Sequence, residues 1–178
     1  MLRFFGIVIL CIAASVVYGL IHDQITIRIS PEYFTVLHPQ ILPKDTSLTG
    51  LALAWGVIAT WWVGLILGVI VGLASCVGSR PKLSPNALIR PIDYLLLVMT
   101  VGAALSGCVG YELGVYQILQ PSDLVLANVP ADHINRVFAA GAIHLASYAL
   151  GFVGGIAVAF WAWKERGKRA GGKSPESR

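Results

Sequence analysis

Long apolar runs separated by short polar segments dominate the chain. Four stretches, about Leu2–Leu20, Leu48–Val77, Pro91–Leu119 and Ile134–Trp163, are almost unbroken. Each is as long as or longer than the roughly 20 residues that cross a bilayer. In lipid a backbone must satisfy its own hydrogen bonds, so the pattern predicts four helices. The expected fold is all-α: a four-transmembrane-helix bundle over residues 1–163, with a basic, disordered tail over 164–178.

The first polar segment, HDQITIRISPEYFTVLHP (residues 22–39), carries its own pattern. Ile25, Ile27 and Ile29 alternate with Thr26, Arg28 and Ser30. Period two predicts a short strand, and an extension of the first helix is the alternative. Ser30-Pro31-Glu32 then reads as a helix start: a hydroxyl cap, proline at the first position and a carboxylate in the first turn. Tyr33, Phe34, Val36 and Leu37 give that short helix an apolar side, and His38-Pro39 ends it. Ser84-Pro85 repeats the start signal between spans two and three.

Within the spans, small residues recur every four positions. Span two has Gly56, Thr60, Gly64, Gly68 and Gly72; span three has Gly102, Ser106, Gly110 and Gly114; span four has Ser147, Gly151, Gly155 and Ala159. Such ladders let helix backbones approach closely, and they predict a tight bundle.

Composition agrees. The 178 residues are 56% hydrophobic and only 12% charged. Soluble domains carry about a quarter charged residues, so a soluble fold is excluded and no second sizeable soluble domain fits. The net charge of +4 does not point to nucleic acid, because the basic residues sit at span ends and in the tail. Ten of the 13 Lys and Arg residues fall before span one, between spans two and three, or after span four. Only Arg28, Lys44 and Arg136 lie in the other two loops. That bias puts both termini in the cytoplasm and residues 22–39 outside. Tyr18, Trp55, Tyr111 and Tyr116 then fall near the outer ends. The first run is expected to be a retained span: it is long, and no small-x-small cleavage site closes it. Cys11, Cys76 and Cys108 all lie within spans and read as free thiols.

Three ionisable residues lie inside the apolar runs, where each needs a partner or a purpose. Asp93, just after Pro91, reads as a first-turn carboxylate capping span three. Glu112 and His144 come out roughly 10 and 15 Å below the outer ends of neighbouring spans. Their similar depth allows a pair, with Arg136 as a rival partner for Glu112. On the same side lie His22, Asp23, Glu32, His38, Asp132 and His133. Imidazole and carboxylate ligate zinc, iron or manganese and also do acid–base work. The candidate polar site is therefore His22, Asp23, Glu32, Glu112, His133, Arg136 and His144, with His22, Glu112, His133 and His144 as metal candidates. No spacing matches a specific metal signature, and a solvated cap over mutually satisfied side chains explains the same residues.

The stretch His22-Asp23-Gln24, Thr26 and Ile29-Ser30-Pro31-Glu32-Tyr33-Phe34-Thr35 resembles an HDQ-x-T-x-x-ISPEYFT pattern found after the first span of a group of uncharacterised bacterial small membrane proteins. The resemblance covers about fourteen residues and implies a bacterial inner membrane protein with this loop outside. It implies no activity. The following VLHPQILPKD departs from the pattern, which leaves His38 outside it. The reading that results is a non-enzymatic binding or docking component, with a protein partner or a second copy as its contacts besides lipid. A metal- or cofactor-binding redox protein and a small oligomeric transporter or channel are the alternatives. No cofactor is specified by the sequence.

Overall fold

A computed structural model describes residues 1–171, and no strand occurs among them. Four helical segments are long and apolar enough to cross a membrane: Leu2–Ile29, Leu48–Cys76, Asn86–Val115 and Ala131–Gly171.

Helix α1 (Leu2–Ile29) runs nine residues past the expected end of span one, straight through the isoleucine alternation. The strand expected over 25–29 is therefore helix. Asp23, Thr26 and Ile27 are buried, at helical spacing, while Ile21 and Ile25 are exposed. A lone strand here would leave its backbone groups without partners, whereas the helix satisfies them. Ser30 ends α1 in an extended conformation and starts α2 (Pro31–Thr35), its hydroxyl accepting from the Tyr33 amide at 3.3 Å. Phe34 of α2 packs with Ile27, Leu51 and Ala52, so α2 caps one end of the bundle.

The second span is two helices, α3 (Leu48–Ile58) and α4 (Trp61–Cys76), with a break at Ala59–Thr60. Thr60 Oγ1 turns back onto the Gly56 carbonyl, and the Tyr148 hydroxyl donates to the Ala59 carbonyl at 3.3 Å. Helix α5 (Asn86–Val115) begins five residues earlier than expected and carries Pro91 in its second turn. Asp93 consequently lies in the third turn and is exposed. The helix dipole acts within about one turn, so Asp93 does not cap α5 as expected. A short α6 (Asp123–Asn128) and a 3-10 turn (Ala131–His133) lead into α7 (Ile134–Gly171). The tail expected to be disordered is thus helical over 164–171, and its remainder lies outside the described residues.

Helix α1 lies along α3 and α4, α5 lies along α7, and α4 against α7 joins the two pairs. The small-residue ladders sit in these seams. A Cβ on Gly64 would stand 2.7 Å from Ile12 Cα, and one on Gly19 would stand 2.5 Å from the Gly56 carbonyl. Gly68 and Gly72 face Val8 and Phe4 in the same seam. Gly110 and Gly114 of α5 face Phe138 and Asn135 of α7. Gly102, Gly151 and Gly155 instead receive the side chains of Leu150, Met99 and Leu67. Helices α1 and α5 touch little, which leaves a groove between them.

The end of the bundle opposite α2 is held by Arg166. Its side chain is buried, and its guanidinium donates to the carbonyls of Ala74, Val77, Arg80 and Pro81 at 2.8–2.9 Å. These include carbonyls left open where α4 stops. A cation there also meets the negative end of the helix dipole.

Candidate functional site

The extension of α1 decides the site. Because the helix continues past Leu20, Tyr18 and His22 fall one turn apart on a single face, with Asp23 beside them. That face meets α7 at His144 and Ser147. His22 Nδ1 is 3.0 Å from Asp23 Oδ1, and His144 Nε2 is 3.4 Å from the same oxygen. His22 Nε2 is 3.1 Å from Ser147 Oγ, which shares a 2.9 Å hydrogen bond with the Tyr18 hydroxyl. His144 Nδ1 lies 2.8 Å from the Ala140 carbonyl. A carbonyl only accepts, so Nδ1 carries the proton. The two imidazoles meet edge to face at 4.6 Å, and Tyr33 of α2 stacks on His144 at the same distance. Asp23 and His144 are buried.

Above this cluster, α2 is pinned by a separate contact. Glu32 Oε1 is 2.6 Å from His133 Nδ1, and Ser30 Oγ donates to Glu32 Oε2 at 3.2 Å. Burial opposes the charge on Glu32, but the hydrogen bonds from His133, its own amide and Ser30 outweigh it and hold the carboxyl below its usual 4.5. His38 Nδ1 donates to the Tyr33 carbonyl at 2.9 Å, and its ring packs on Phe34 and Trp55. Burial pushes the His38 imidazole below its ordinary value of 6.5, so it is neutral at pH 7.

The residues named from sequence therefore divide. His22, Asp23 and His144 come together; Glu32 and His133 form the pin on α2. Glu112 does not reach His144. It is exposed on α5, lines the groove toward α1, and makes no ion pair among the described residues. His144 meets Asp23 instead, because the side of α5 that faces α7 carries Gly107, Gly110 and Gly114, while Glu112 lines the groove toward α1. Arg136 is exposed and likewise makes no ion pair there. Asp132 is exposed, 3.7 Å from His133. Tyr18, Ser147, Tyr33 and Tyr148 were not singled out for chemistry. Their signal was the four-residue spacing of Tyr18 to His22 and the three-residue spacing of His144 to Ser147.

No family model, curated protein or solved structure matches this chain. What the arrangement can do is therefore read from its own chemistry.

The cluster heads a partly open cavity of about 150 Å³ lined by α1, α4, α5 and α7. Its head is polar: Tyr18, His22, Asp23, His144, Ser147 and Tyr148. Its far end is apolar, with Leu67, Val71, Ile92 and Val158. From His144 to Val158 along α7 is roughly 21 Å at the helical rise. The α1–α5 groove, about 650 Å³, shares Tyr18, His22 and Leu96 with this cavity, so the head of the site borders a lateral opening in the apolar surface. Ser147, His22 and Asp23 have the connectivity of a serine nucleophile relay. But Ser147 sits inside α7, whose backbone N–H groups are engaged within the helix, and an acyl-transfer site needs free donors for its oxyanion.

Proposed function

We propose that this chain is a non-enzymatic membrane binding protein that takes one amphipathic molecule from the bilayer. The polar head of the ligand meets His22, Asp23, Ser147 and His144, and its apolar portion lies along the cavity toward Val158. The observation that carries this reading is the polarity gradient of the cavity, together with the lateral groove it borders. A pocket lined mostly by apolar groups with a few convergent polar ones is the general form of a small-molecule site. A lateral opening between apolar helix faces suits a ligand already dissolved in lipid. The distribution of Lys and Arg supports a site on the extracytoplasmic side of a bacterial inner membrane, with both termini cytoplasmic. A pore is less well supported, since the cavity is apolar at its far end and offers ions no continuous polar path.

The test is mass spectrometry of the organic extract from protein purified in mild detergent. Wild type is expected to carry one amphipathic molecule per chain, and Ala14→Phe, whose larger side chain enters the cavity that Ala14 lines, is expected to lose it while keeping the wild-type helical content and a cooperative melt at a lower midpoint. Identical extracts from the two proteins would sink the reading.

A further inference from the structure

The geometry points to a metal site: we propose that His22 Nδ1, Asp23 Oδ1 and His144 Nε2 bind one divalent transition-metal ion of the zinc type, with an open position toward the cavity. This goes beyond the ligand reading and does not depend on it.

The argument begins with a mismatch of hydrogen-bonding groups. His144 Nδ1–H is committed to the Ala140 carbonyl at 2.8 Å. In the neutral ring Nε2 then carries a lone pair and no proton. That lone pair faces Asp23 Oδ1 at 3.4 Å, an acceptor facing an acceptor at low exposure. Such a pair needs a positive charge between its members, either a proton on Nε2 or a metal ion. Zinc bonds of about 2.0–2.1 Å to nitrogen and oxygen set tetrahedral ligand atoms about 3.4 Å apart, which is the separation observed. His22 Nδ1, at 3.0 Å from the same oxygen, opens by a few tenths of an ångström to reach a similar spacing. All three ligand atoms lie within 4.8 Å of one another.

The surroundings supply the second half of the argument. Metal-ligating histidines almost always donate their other N–H to a fixed acceptor, which sets tautomer and ring orientation. Both histidines have such an acceptor: Ala140 carbonyl for His144, and Ser147 Oγ at 3.1 Å for His22. Tyr18 in turn holds Ser147 at 2.9 Å. Two imidazoles and one carboxylate suit zinc, cobalt or iron rather than magnesium or calcium. Three protein ligands with a fourth position left open is the arrangement that lets a metal coordinate an oxygen donor of another molecule.

The experiment is Co²⁺ titration of chelator-treated, tag-free protein in detergent, read by visible ligand-field absorption and by elemental analysis after gel filtration. Wild type should bind one Co²⁺ per chain, and Zn²⁺ should displace it. His144→Gln should weaken binding by more than about 100-fold, and Ser147→Ala by about 10–100-fold, the range found when an orienting partner is removed. His133→Gln should bind as wild type does. A protonated His144 paired with Asp23, and no metal, would appear as absent Co²⁺ bands in wild type and would overturn the proposal. Equal binding by wild type and His144→Gln would overturn it too. Because a variant here risks misfolding, X-ray absorption on zinc-loaded wild type gives an independent reading: about two imidazoles in the coordination shell are expected, and a shell with none refutes the site.

Discussion

Arg166 lies in a basic run whose neighbours Lys164, Lys168 and Arg169 are exposed, yet it is only 2% exposed itself. Its four carbonyl contacts come from the end of α4 and the loop after it. The planar guanidinium fork can serve several acceptors at once, which a lysine ammonium cannot. Arg166→Met should therefore lower stability by about 3 kcal/mol or more, since charged hydrogen bonds are lost and buried carbonyls are left open. Arg166→Lys should recover less than half of that. Unfolding in mixed micelles measures both, and a loss under about 1 kcal/mol for Arg166→Met would show that water replaces the side chain. In the sequence Arg166 was one of ten cations that marked topology. Nothing in its spacing separates a cation that faces solvent from one that folds back, because the loop it clamps comes some 85 residues earlier in the chain.

The ladders belong to the scale of the helix. Gly64 lets α4 approach α1 so closely that an added methyl would meet the Ile12 Cα and the Cys11 carbonyl at 2.7 and 2.8 Å. Backbone cannot swing aside as a side chain can, so Gly64→Ala should cost about 1–3 kcal/mol. Gly141 on α7 is the control, because a methyl there would stand 3.7 Å from the Tyr33 ring, an ordinary contact. Gly141→Ala should be neutral or raise stability by up to about 1 kcal/mol through helix propensity. Equal losses in the two variants would mean that the seam relaxes. The four-residue spacing of these positions was legible in the sequence. Which partner each ladder meets was not: Gly110 of α5 approaches the Phe138 carbonyl of α7, while Gly102, Gly151 and Gly155 accommodate flexible side chains.

At the scale of the whole molecule, four helices long and apolar enough to cross a membrane would, as an even number of crossings, put residues 1 and 171 on one side of it. In the topology proposed above, the excess of Lys and Arg assigns that side to the cytoplasm. Alkaline phosphatase fused after Asp45 should be active, and the same enzyme fused at residue 171 should be inactive. Activity of the second fusion with silence of the first would invert the chain and put the His22–Asp23–His144 cluster on the cytoplasmic side. The cluster itself draws on the two ends of the sequence, with Ser147 and His22 separated by 125 positions. Its cavity exists only where α1, α4, α5 and α7 all converge.

Residue types in order were enough to determine the four apolar helices and the capped turn at Ser30, because bilayer thickness and backbone hydrogen bonding act locally along the chain. They also named His22, Asp23 and His144 as members of one polar set. Tertiary structure decided that these three meet and Glu112 does not. The pairing depends on how far α1 continues and how each helix is rotated about its axis, and those are fixed by packing between segments far apart in sequence. A period-two run of isoleucines is compatible with strand or helix in isolation. Burial of Ile27 against Phe34 and Leu51 chose the helix, and with it the face on which the site is built.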